Sequence, residues 1–265
     1  MHPALPDLHR AAVRRRGEKV LGAAAVGAAV AALVLGLLVA PPDAVQGQAQ
    51  RLMYVHVPAA WTGFLSVGVV ALASLVVLLG GGRLWSSLGR AAGELAVGML
   101  ALAYAEGSVW GHASWGVWWT WDPRLVTTAV LLLTCVGYVA TSALGREAPD
   151  GDTRRSDRRT ALVGLLAAAE VPVVHLSVLW WRSIHQPPTL LRPSLSAPIN
   201  ATMLLALLVA VAAFTLAGAW YVARRLAQQL PARPEPELAA SPGARPAAAA
   251  PDQLAGERPA QGAGR

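Results

Sequence analysis

The sequence predicts an all-α protein, a polytopic membrane helical bundle with six transmembrane helices and both termini cytoplasmic. Three observations carry this. Of 265 residues, 55% are hydrophobic and only 14% are charged, and the mean hydropathy is +0.45, which is too apolar for a soluble domain. Apolar runs recur along the chain, each close to the roughly 20 residues a helix needs to cross a hydrocarbon core. The charges lie in clusters between those runs, where they set topology.

The polar, basic segment 1–19 leads into the first run, Val20 to Ala40, which holds no charge. This run is too long for a signal peptide and ends in Pro41-Pro42 without a clear small-x-small cleavage pattern, so it is expected to stay as a span and signal-anchor. A loop over 41–56 carries Tyr54 and His56, and the second span covers Val57 to Gly80, broken by Gly80-Gly81-Gly82. The third span runs from Ala91 to Val109, with Glu94 and Glu106 near its ends. The fourth, Leu125 to Leu144, is opened by Asp122-Pro123, an acidic N-cap with proline at the first helical position. The fifth is Thr160 to Trp180 and carries the mid-span acid Glu170; the sixth is Ala201 to Val222, closed by Arg224-Arg225. The domain organisation is therefore a cytoplasmic segment 1–19, a six-span membrane domain 20–225, and a tail 226–265 rich in Ala, Pro, Gly and Arg that is expected to be disordered.

Charge orients the bundle. The N-terminal segment, the 81–90 turn, the 145–159 loop and the tail together with Arg224-Arg225 carry 5, 2, 5 and 6 of the 22 Lys and Arg residues, whereas the other loops hold only Arg51, Arg124, Arg182 and Arg192. By the positive-inside rule both termini are cytoplasmic, and 41–56, 110–124 and 181–200 face outward. The net charge of +7 is thus accounted for by topology, and no nucleic-acid partner is implied. The single cysteine, Cys135, lies in an apolar run and excludes an intrachain disulfide, a CxxC pair and covalent heme attachment through C-x-x-C-H.

The outward segments concentrate the unusual side chains. Five of ten tryptophans, Trp110, Trp115, Trp118, Trp119 and Trp121, fall within residues 110–124. Indole prefers a boundary that is apolar on one side and wet on the other. If the stretch is helical, Trp115, Trp118, Trp119 and Asp122 share one face. A second pair, Trp180-Trp181, precedes His185, and His56 and His185 lie on separate outward loops beside Pro58 and Pro187. Neutral imidazoles are good iron ligands, a tryptophan platform is a broad apolar wall, and the outward arginines could meet carboxylates. These residue types suit a flat, apolar, dianionic ligand with a central metal, and heme fits each item. The plain alternatives are membrane-interface anchoring for the tryptophans and solvated or capping roles for the histidines. His112, His175, Glu106 and Glu170 receive no assigned role.

The stretch W-G-V-W-W-T-W-D-P-R-L at 115–125 resembles the tryptophan-rich WWD motif of the heme-handling superfamily of cytochrome c biogenesis. M-Y-V-H-V-P-A-A-W at 53–61 and W-W-R-S-I-H-Q at 180–186 resemble the two histidine segments of the CcmC family within it, and the HVPAAW segment separates this chain from the longer CcmF and CcsA families. The resemblance spans 45–225. It implies non-covalent heme b on the outer face of the cell inner membrane, with His56 and His185 as axial iron ligands. Trp115, Trp118, Trp119, Trp121, Asp122 and Arg124 would line the cofactor. It further implies delivery of heme to the chaperone CcmE, with the CcmA/CcmB ABC transporter and CcmD as partners and membrane lipid as surroundings. No nucleophile–base pair and no phosphate-binding loop is visible, so the chain is not expected to be an enzyme. A heme or solute permease and a membrane-bound b-type electron-transfer cytochrome are the alternatives.

Overall fold

The apolar runs form the six helices of a computed structural model that describes residues 5–147, 153–185 and 199–230. In chain order these are α1 (Leu5–Val34), α2 (Met53–Leu78), α3 (Arg83–Trp115), α4 (Pro123–Glu147), α5 (Thr153–Trp180) and α6 (Ala201–Gln229). A π-helical turn, Leu35–Val39, extends α1, and a 3-10 turn, Gln48–Leu52, leads into α2. Each helix is long and apolar enough to cross a membrane, over Arg15–Val39, Gln48–Leu78, Arg83–Trp115, Pro123–Gly145, Thr153–Trp180 and Ala201–Gln229. The protein is a multi-pass membrane protein. The predicted tail beyond residue 230, Pro187 and Arg192 lie outside the described residues.

Two element boundaries differ from expectation. Helix α2 begins at Met53, so Tyr54 and His56 stand in its first turns and not in a loop over 41–56. Helix α3 continues through Trp110 and His112 to Trp115, where Gly116 takes φ +76 and ends it. That backbone region is open to glycine at little steric cost. The tryptophan segment is therefore helical only to Trp115 and non-helical from Gly116 to Asp122, and the single-face helical arrangement considered for Trp115, Trp118, Trp119 and Asp122 does not form. In both places the helix outruns the apolar run, because interfacial Trp, His and Gly continue the hydrogen-bond ladder after hydropathy has fallen.

Small side chains set the close packing expected where lipid supplies no hydrophobic drive between helices. Helix α2 packs against α3, α5 and α6, α4 against α3 and α5, and α1 against α6. One buried cluster joins α2, α3, α4 and α5 through Val67, Ala96, Leu100, Leu131, Cys135 and Ala167. Another joins the end of α1 to the starts of α2 and α6 through Ala40, Tyr54, Met203 and Leu207. Cys135 is a buried small hydrophobe there, as its apolar run implies.

Two acids inside the spans have found partners. The mid-span Glu170 accepts a hydrogen bond from Thr134 Oγ1 at 2.9 Å, linking α5 to α4. At the end of the bundle away from the 110–121 tryptophans, Glu94 accepts from Arg225 at 2.6 and 2.9 Å, from Arg90 at 3.2 Å and from Tyr221 at 3.2 Å, tying α3 to α6. The charge-assisted, two-pronged Arg225 contact is the strongest type available to a side-chain pair. The opposite end, where α2, α4 and α6 start and α1, α3 and α5 finish, carries the 110–121 tryptophans, His56 and His185.

Candidate heme-binding site

The sharp turn from the tryptophan segment into α4 is made by Asp122. Its carboxylate Oδ1 accepts the Arg124 amide at 2.9 Å and its carbonyl accepts the Val126 amide at 3.0 Å, the geometry of an N-cap with Pro123 at the first helical position. The same carboxylate reaches across 62 and 63 positions of sequence. Oδ2 accepts the Ile184 amide at 2.9 Å, and Oδ1 lies 2.9 Å from His185 Nδ1. The Ser183 hydroxyl, itself accepting the His185 amide at 3.0 Å, also faces it. One buried acid thus caps a helix and fastens the second histidine segment to the tryptophan segment.

Charge follows from this arrangement. Burial pushes the Asp122 carboxyl up, but hydrogen bonds from Ser183 and the Ile184 amide, the neighbouring His185 ring and the Arg124 amide outweigh it, and the group sits below its ordinary value. His185 is lowered: burial dominates, Asp122 opposes it, and the nearby charges of Arg124 and His56 add to the lowering. At neutral pH His185 is therefore an uncharged imidazole whose Nδ1 faces a carboxylate, the arrangement that puts its proton there, and its Nε2 has no hydrogen-bond partner among the described residues. His56 stands at the same end of the bundle, in the first turns of α2. His56, on α2, lies 3.0 Å from Glu106 Oε2 on α3 through Nδ1, and meets Trp110 edge-on at 5.6 Å between ring centroids.

The tryptophans divide by contact. Trp115 meets His185 edge-on at 4.9 Å. Trp118 stacks on His112 at 4.1 Å with 7° between the rings, and its carbonyl accepts the Ser108 hydroxyl at 2.6 Å, which holds the loop against α3. Trp119 lies between Tyr104 and Trp121, at 5.9 and 5.7 Å. Trp115, Trp118 and Trp119 share a recess with Tyr104, Gly107 and Gly111. All four tryptophans expose large areas, Trp121 as much as 82%, so this end offers indole faces to lipid or to an apolar ligand. Trp180 and Trp181 pair with each other at 5.8 Å.

Arginines are less available than the sequence implied. Arg51 donates to the Gly36 and Ala40 carbonyls at the end of α1 and to Gln48, so it clamps the 41–52 connection and is removed from the supply for a ligand's carboxylates. Arg124 is half-buried beside Asp122 and His185, and Arg182 is exposed. Sequence reasoning missed three contacts made to the predicted residues: Glu106 and Gly107 at His56, and His112 at Trp118. The available signals were an acid near a span end and a glycine beside it, but their partners are far away in the chain.

The residues present fit a metal-centred planar ligand. Two imidazoles stand at the same end of the bundle, each with Nδ1 against a carboxylate and with no hydrogen-bond partner at Nε2 among the described residues, which is how ligating histidines are usually held.

The family model CcmC, described as heme exporter protein C, matches residues 5–240. The chain is 35% identical over 192 residues to heme exporter protein C of Bradyrhizobium diazoefficiens, covering 71% of each chain. It is 31% identical over 212 residues to heme exporter protein C of Escherichia coli, covering 74% of this chain and 81% of that one. A putative cytochrome c biosynthesis ccmC-like mitochondrial protein of Marchantia polymorpha is 27% identical over 192 residues, covering 72% of this chain and 78% of its own.

Proposed function

The chain belongs to the CcmC family of heme exporter C proteins, and from that membership we propose that it holds heme b non-covalently and hands it on during cytochrome c maturation. The observation that carries the reading is the bolt between Asp122 and the 183–185 segment, which places an uncharged His185 against the tryptophan segment at the end where His56 also stands. Heme, when bound, would supply an iron that imidazoles can ligate. His56 and His185 would hold that iron. Asp122 keeps the His185 proton on Nδ1 and the ring in place. Trp115, Trp118, Trp119 and Trp121 form the apolar wall, and Arg124 offers a cation near the His185 side. The exposed Trp121 edge leaves a route for an acceptor.

By the charge pattern of its loops this site faces outward from the cell inner membrane. The acceptor in this reading is the chaperone CcmE, with CcmD and the CcmA/CcmB transporter as neighbours. ATP hydrolysis belongs to the transporter, and this chain holds and releases cargo without being an enzyme. The electron-transfer alternative draws support from the position of His56 in the first turns of a spanning helix, since cytochrome ligands are usually carried within spans. Mixing heme-loaded protein with the purified chaperone separates the two. Delivery predicts a complex and transfer of the absorption band to the chaperone; no complex, together with turnover of a quinone, would establish electron transfer instead.

A further inference from the structure

We propose that Glu106 is the positioning residue for His56, fixing through its hydrogen bond at Nδ1 which nitrogen faces the ligand, with Gly107 and Trp110 completing a cradle on α3. The inference rests on the heme-site reading above and adds to it a residue that the WWD and histidine motifs do not include.

Three observations converge. Glu106 is 12% exposed, its Oε2 lies 3.0 Å from His56 Nδ1, and its Oε1 is buried without a partner among the described residues. A carboxylate placed so is poor packing material. Desolvating it is costly, and an apolar side chain of similar volume is commonly as stabilising or more so. Stability alone therefore does not account for an acid here; holding an imidazole proton does. Next, a Cβ at Gly107 would stand 2.6 Å from His56 Cε1 and 3.0 Å from Nδ1. The ring lies directly on the backbone of α3, an approach that only glycine permits. Last, Trp110 is one turn beyond Glu106 and meets the ring edge-on at 5.6 Å and 72°. Acid, backbone and indole hold the ring from α3, and Nε2 has no hydrogen-bond partner among the described residues.

The consequence is electronic as well as geometric. A carboxylate on Nδ1–H makes the imidazole a stronger donor, which favours ferric over ferrous iron. Three full-length proteins test this: the unaltered chain, Glu106→Gln, which keeps an acceptor oxygen without the charge, and Glu106→Leu, which keeps only bulk. Each is titrated with hemin, its reduction potential is measured, and the His56 tautomer is read in hemin-free protein by nitrogen NMR of labelled histidine. Glu106→Gln is expected to stay six-coordinate while its ferric–ferrous equilibrium moves about tenfold toward ferrous, about 59 mV upward. Glu106→Leu is expected to bind hemin about 10–100-fold more weakly and to lose the fixed Nδ1–H tautomer. Hemin-binding variants with unaltered affinity, potential and tautomer would overturn the proposal while leaving the heme site standing. A tautomer lost in Glu106→Leu, in a chain that binds no hemin at all, would uphold the positioning role and remove the heme-site reading.

Discussion

The two histidines are held by the same kind of partners in different settings. His56 is carried by one helix and gripped by another, with Glu106, Gly107 and Trp110 all on α3. His185 follows the end of α5 and is fastened by Asp122, Ser183 and Trp115. Each ring has one carboxylate and one indole. On the His56 side the grip depends on packing between two spanning helices, so it is fixed when the bundle folds. On the His185 side, among the described residues, it depends on a few hydrogen bonds centred on Asp122, which is also the cap of α4. In the proposed role of holding and releasing heme, this asymmetry would leave one histidine anchored and let the other go when a small polar cluster breaks.

The largest effect is expected on the His185 side. Asp122→Ala removes the cap, about 1 kcal/mol by itself, and frees the 183–185 segment. Hemin titration should show affinity falling about 10–100-fold, whereas an unchanged affinity would mean that the bolt is decorative. On the His56 side, Gly107→Ala introduces a Cβ 2.6 Å from His56 Cε1. Overpacking of this kind costs about 1–3 kcal/mol, so hemin binding about tenfold weaker, with an altered spin state, is expected in absorption spectra.

Acidification separates the sides next. The folded-state value of His185 is depressed below its ordinary 6.5, so the unfolded chain takes up the proton first and stability contributed at this site declines as pH falls below 6.5. Asp122, depressed below 3.8, contributes stability above that value and loses it further down as pH falls. Heme release followed against pH should therefore begin below the ordinary histidine value, and release that sets in only on alkalinisation would contradict the sign. Trp118→Ala is expected to have the smallest effect. It removes one stack, on His112, worth about 0.5–1.5 kcal/mol, and a several-fold weaker affinity at most should be measured.

The comparison also shows what the amino-acid sequence discloses. Six spans were legible because uncharged runs of bilayer length carry their own signal, and Asp122-Pro123 announced the start of α4 because capping is local. The ends of α2 and α3 were not legible from hydropathy, since helix continues into interfacial residues such as His56, Trp110 and Trp115. The Glu106–His56 contact joins residues 50 positions apart, and no local pattern encodes such a pairing; it exists because α2 and α3 pack side by side. Arg51 illustrates the converse. Its charge and loop position made it a candidate for a ligand's carboxylates, but two carbonyls at the end of α1 and the Gln48 side chain occupy it. Asp122 lies between these cases: its cap was readable, and its hold on His185 awaited the fold.

The central claim is that His56 and His185 are paired ligands of one heme. It is tested most directly by absorption spectra of hemin-loaded His56→Gly and His185→Gly, each recorded before and after adding free imidazole. The account predicts a six-coordinate spectrum in the unaltered protein, its loss in each variant, and its return when imidazole fills the vacated position. A six-coordinate spectrum that persists in either variant without imidazole would contradict it.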